Sequence, residues 1–190
     1  MVRLRFCHDE HGRDNEDVER LVRWVVRDAT PGNVPPLAVR IRKPAAHDYP
    51  SGCAYLTYWP QWAVKLYPRR SHLRRAMYAI SVTTCSDAAP VLGQPHVCWH
   101  ARAARTGATC DEDAAAYQPA AAAAWARGER QLGQWPIYIL RDWREALVHT
   151  FAHELSHVVQ FARNGGRSEI VCERFAAYVL ERFRGDGRGR

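Results

Sequence analysis

The sequence predicts a single α+β domain, and three observations carry that prediction. An amphipathic helix stands near the N-terminus, short runs of period-two apolar residues fill the middle, and two helices close the chain. With 190 residues, 47% of them hydrophobic, there is enough apolar material for one core. The expected domain covers residues 1–184, with a glycine- and arginine-rich tail over 185–190. A net charge of +7 comes from 27 basic and 20 acidic residues. The arginines are scattered except in "RRSHLRR" (Arg69 to Arg75) and "RFRGDGRGR", so nucleic-acid contact is only weakly supported. The first residues turn polar before any export signal could form, and no run approaches the roughly 18 apolar residues of a membrane span. A cytoplasmic protein with no membrane partner is expected. Six cysteines (Cys7, Cys53, Cys85, Cys98, Cys110 and Cys172) form no CxxC pair and read as free, buried thiols.

In chain order, "DNEDVERLVRWVVRDA" (Asp14 to Ala29) begins with a cap and an acidic turn. It then places Val18, Leu21, Val22, Val25 and Val26 on one stripe. "TPGNVPP" ends that helix, and "LAVRIRK" (Leu37 to Lys43) alternates as a strand. "GCAYLTYW" and "WAVKLYP", separated by Pro60 and Gln61, read as two further strands and suggest a hairpin. "AMYAISVTT" and "HVCWHA" are weaker strand candidates. Residues 102–134 form an alanine-rich excursion, with helix on either side of Pro119. "WPIYIL" (Trp135 to Leu140) is a short strand. Asp142 and Glu145 make a capping box for a helix from about residue 143 to 163, which "NGG" stops. Ser168 caps a last helix through "EIVCERFAAYVLERF". No internal repeat is evident.

Within the first of these closing helices, "VHTFAHELSHVVQ" (Val148 to Gln160) spends three histidines and a glutamate in an apolar run. His153 and His157, four apart, sit about 6 Å apart along the axis on one face and can converge on a single ion. Two imidazoles, one carboxylate and a water suit zinc with an open catalytic position. Glu154, next to the first histidine, is then placed to accept a proton from that water. His149 shares the face but lies about 12 Å along the axis from His157, too far to join them. For the third ligand the helical wheel favours Glu169, which borders the stripe of Cys172, Phe175, Ala176, Val179 and Phe183. A helix that must climb back from the glycine turn to the level of the histidines favours Glu173, one turn higher. Glu181 is too far along.

"HELSHVVQ" followed by "SEIVCERFAAYVL" resembles the HExxH zinc metallopeptidases of gluzincin type, notably the short ImmA/IrrE-like members. The resemblance covers about residues 142 to 183. It implies a zincin-like fold, with the N-terminal helix and a small mixed sheet packed on the HExxH helix and the glutamate-bearing helix. It also implies a peptide or protein substrate hydrolysed through a zinc-activated water, with Glu154 as general base. Glu169 takes the ligand position in that pattern, and Glu173 steadies a histidine ligand from behind. The element order also resembles the SprT-like proteases, which use a third histidine where none follows His157 here. The alternative is a zincin-like binding module for a protein or nucleic-acid partner, its metal structural.

The remaining constellations are weaker. His96, Cys98, His100 and Cys110 match no common zinc spacing, and neither do Cys7, His8 and His11. The tryptophans Trp59, Trp62, Trp99, Trp125, Trp135 and Trp143 read as packing residues. The resemblance gives "WPIYIL" one further expectation, a strand along the cleft that pairs with extended substrate.

Overall fold

A computed structural model describes residues 3–29, 34–44, 50–66, 78–97 and 119–187. The chain is α+β. Strand β1 (Leu4–His8) is followed by α1 (Asn15–Trp24), which continues as a π-helical turn over Val25–Ala29. Then come β2 (Leu37–Arg42), β3 (Gly52–Tyr55), α2 (Gln61–Leu66), β4 (Tyr78–Thr83) and β5 (Pro95–Val97). Residues 119–126 are helical and form α3. The chain continues with β6 (Gln131–Leu132), β7 (Trp135–Ile139), α4 (Trp143–Asn164) and α5 (Glu169–Gly185).

Four strands make one sheet in the order β1-β2-β4-β3. The first three are parallel, with Phe6 beside Val39 and Val39 beside Ile80, and β3 joins antiparallel, Ala54 opposite Ile80. Parallel neighbours need a crossover, which α1 supplies between β1 and β2. Leu37, Val39, Ile41, Ile80 and Val82 all belong to the core that the helices cover, and the stripe Val18, Leu21, Val22, Val25 and Val26 is buried against them. Asp14 caps α1 by accepting from the Asp17 N–H.

Three local expectations need correction. "WAVKLYP" is not a strand: residues 61–66 form α2, because the Pro60 carbonyl accepts from the N–H groups of Ala63 and Val64 and so starts a helix. Ala63 then packs on Ala38 and Ala79 of the sheet's other face. No hairpin forms, and "GCAY" pairs instead with β4. "WPIYIL" does not flank the HELSH helix as an open edge, since β7 is the middle strand of a second sheet of order β5-β7-β6. The strand β1, with Leu4 and Phe6 packed against the core, was legible as alternation but absent from the expected elements.

Two clamps fix α5 against α4. At one end Arg184 donates to both carboxylate oxygens of Glu145, at 2.9 and 2.7 Å, and to the Ile139 carbonyl. Glu145 also accepts from the Arg141 N–H while its own N–H donates to Asp142. The carboxylate is 2% exposed, so its charge is matched inside the protein. At the other end Gly165, at φ 73°, closes α4 with its N–H on the Phe161 carbonyl. Gln160 of α4 then takes over the capping of α5: its Oε1 accepts from the Ser168 N–H, where the serine side chain makes no cap bond.

Candidate metal centre

The two clamps set the level at which Glu169, the first residue of α5, meets the HELSH segment of α4. His153 and His157, one turn apart, bring their Nε2 atoms to 3.2 Å. Glu169 Oε2 lies 3.2 Å from His153 Nε2 and 3.3 Å from His157 Nε2. The three atoms form a nearly equilateral triangle. Ligand atoms bonded at 2.0–2.1 Å to a tetrahedral zinc stand about 3.3 to 3.4 Å apart, so this donor set fits that ion without rearrangement.

Glu173 lies behind the triangle. Its Oε1 is 2.6 Å from His153 Nδ1, which holds a proton on Nδ1 and leaves Nε2 facing the centre. Burial opposes a charge on His153, yet hydrogen bonds to Glu169 and Glu173 outweigh it and raise its pKa to about 10. Glu173 is 2% exposed, on a helix that packs against β7 as well as α4.

His149 is also buried and stacks on Tyr138, with ring centroids 4.0 Å apart. Its Nε2 is 3.8 Å from Glu173 Oε2, too long for a hydrogen bond. Burial lowers its pKa to about 4; Glu173 opposes that shift, whereas His153, His96 and Arg184 add to it. A base whose folded pKa is depressed contributes stability that is present above its unfolded value of 6.5 and lost as pH falls through about 4. The acid-unfolding midpoint should therefore move to lower pH in His149→Phe, which keeps the stacked ring and removes the titration. An unchanged midpoint in circular dichroism would assign acid unfolding to other groups.

Glu154, 8% exposed, is held from the other side by β3. Its carboxylate accepts from the Ala54 N–H; burial raises its pKa, against the pull of His153 and His157. The Thr83 N–H donates to the Ser51 carbonyl. By the alternation of an antiparallel ladder, Gly52 and Ala54 turn their backbone groups away from β4 and toward Glu154. A Cβ at Gly52 would stand 2.5 Å from Glu154 Cγ and 2.7 Å from its Oε1, so glycine is needed for closeness rather than for an unusual φ. Gly52→Ala should cost about 1 to 3 kcal/mol by overpacking. A displacement of Glu154 of about 1 Å would also lower any activity that depends on it by roughly 10²-fold. Wild-type melting and turnover in that variant would contradict the contact.

Gly52, Ala54, Gln160 and Cys172 went unread as site residues. A glycine inside a strand run signals close approach by another group, which could have flagged Gly52. The other three depend on packing between elements. Cys172 Sγ accepts from Gln160 Nε2 at 2.9 Å, and burial pushes its thiol up to about 12.

Elsewhere, His8 and His11 form a hydrogen-bonded chain rather than a metal set. The Arg13 N–H donates to His11 Nδ1 at 3.2 Å, so His11 Nε2 carries the proton and donates to His8 Nδ1 at 3.1 Å. His8 Nε2 in turn donates to Glu19 at 3.1 Å. Every ring nitrogen is used. His96 donates from Nδ1 to the Gln94 carbonyl and packs edge-on against Tyr138. Cys98, His100 and Cys110, like Trp99 and "RRSHLRR", lie outside the described residues. Among the described residues, no helix is long and apolar enough to cross a membrane.

Compared with family models, curated proteins and solved structures, the chain matches none.

Proposed function

We propose that the protein is a zinc-dependent metallopeptidase with a zincin-like arrangement, in which His153, His157 and Glu169 hold the metal. One observation carries the reading: three donors at the spacing of a tetrahedral zinc, with the buried carboxylate of Glu154 on the residue next to one of them. Zinc bound there would make a water acidic near neutral pH and polarise a carbonyl.

This chain's own residues supply the rest. Glu154 takes the proton of the attacking water and passes it to the leaving amine. The Ala54 N–H fixes the carboxylate, and Glu173 fixes the His153 ring. The outer edge of β3, which pairs with no further strand among the described residues and gives its Ala54 N–H to Glu154, is the surface beside which an extended peptide would lie. It takes the role first expected of "WPIYIL", because β7 is paired on both sides.

The test separates the two carboxylates of α5. Glu169→Gln should strip most of the zinc, whereas Glu173→Gln should weaken binding by about 10 to 100-fold, the cost of losing a partner of a ligand. Elemental analysis and competition with a chelator measure both. The reverse ranking would overturn the assignment of Glu169.

A further inference from the structure

We propose that Cys172 is a second donor from α5 to the same centre, recruited when a soft, thiophilic ion occupies it. The inference rests on the metal-centre reading above. The donor atoms of His153, His157 and Cys172 all lie within 4.8 Å of one another. An ion bound at 2.0–2.1 Å to nitrogen and about 2.3 Å to sulfur holds N and S about 3.6 Å apart. The sulfur must therefore close by at most about 1.2 Å, which a side-chain rotation can cover.

A second observation points at the sulfur itself. The Gln160 amide is oriented by the Ser168 N–H, which donates to its Oε1. Its Nε2 makes its shortest contact with Cys172 Sγ, at 2.9 Å, ahead of Ser156 Oγ at 3.3 Å and the Ser168 carbonyl at 3.4 Å. An N–H held against a buried sulfur is the kind of partner that stabilises a thiolate. Glu169 and Cys172 offer the ion different chemistry from adjacent positions. Glu169 stands in the first turn of α5 with its side chain 35% exposed, a hard oxygen donor. Cys172 is fully buried three residues on, a soft donor that favours ions such as Cd2+ or Cu+. Binding forms one metal–sulfur bond and breaks the S–H bond, with the proton released to solvent. A bond to Cys172 would give the ion a fourth protein ligand, and a centre with four protein ligands is of the closed, structural kind.

Cadmium is the probe, titrated into the full chain after chelator treatment. The expected result is one Cd2+ per chain with thiolate-to-metal charge-transfer absorption, and a 113Cd resonance at the high frequency that sulfur ligation gives. Both signals should vanish in Cys172→Ser and in Cys172→Ala, with Cd2+ affinity reduced at least about tenfold and melting curves confirming that at least one of the two is folded. Cadmium held through His153 and His157 but without the sulfur signals would overturn the role of Cys172 and leave the centre standing. Signals that persist in both cysteine variants would overturn it equally. Binding that survives His153→Ala and His157→Ala would sink the metal-centre reading, and this inference with it.

Discussion

Glu154→Gln should keep the zinc and the fold and lose peptide hydrolysis by about 10² to 10⁴-fold, the range a positioned general base contributes. The substitution is nearly isosteric, so Gly52 still fits against it and the Ala54 N–H still finds an oxygen. What it removes is the capacity to accept a proton. Zinc content, melting temperature and turnover should be measured on the same preparation. Retained zinc with turnover within a few-fold of wild type would reject Glu154 as the base. A variant that loses its zinc would show that the carboxylate also holds the centre together.

Arg184→Ala should be among the most destabilising single changes away from the centre. It strands Glu145, 2% exposed, without the guanidinium that meets both its oxygens. Removing one partner of a buried ion pair costs about 3 to 5 kcal/mol, a fall in Tm of roughly 6 to 20 °C for a chain of this length. The clamp also sets the height of α5 against α4, so the zinc affinity of the folded fraction should fall as Glu169 loses its register with the histidines. The double variant Glu145→Gln, Arg184→Leu should recover part of the stability, because no buried charge is left unmatched. A loss below about 1 kcal/mol in the single variant, typical of an exposed pair, would contradict the buried character of the clamp.

The physics of these helices explains why their residues were legible in the sequence. Asp142, Glu145, the glycine stop and the apolar stripes act within one or two turns, so spacing alone places His153, Glu154 and His157 on one helix. Glu169 against Glu173 was harder, since the helical wheel favours the first and the climb from the glycine turn favours the second. The choice depends on where α5 starts relative to α4, and that is set by Gln160 and Arg184 across the interface. The six residues of α2 failed as a strand for a related reason. Trp62, Val64 and Leu66 satisfy period two, Ala63 and Leu66 satisfy helical spacing, and only the Pro60 carbonyl decides between them. The swap of β7 for β3 beside Glu154 is a matter of sheet order, on which local patterning is silent. A glycine whose missing Cβ would stand 2.7 Å from a carboxylate oxygen carries one faint sequence signal, its place inside a strand.

The central claim is that α4 and α5 together hold one zinc ion, and diffraction at the zinc absorption edge tests it most directly. Crystals of the wild-type chain grown with zinc should show one anomalous peak within the triangle of donors. It should be bonded to His153 Nε2, His157 Nε2 and Glu169 Oε2 at about 2.0 to 2.1 Å, with Glu173 in contact only with His153 Nδ1. A peak that engages Glu173 in place of Glu169, or none at these histidines while zinc binds elsewhere on the chain, would contradict it.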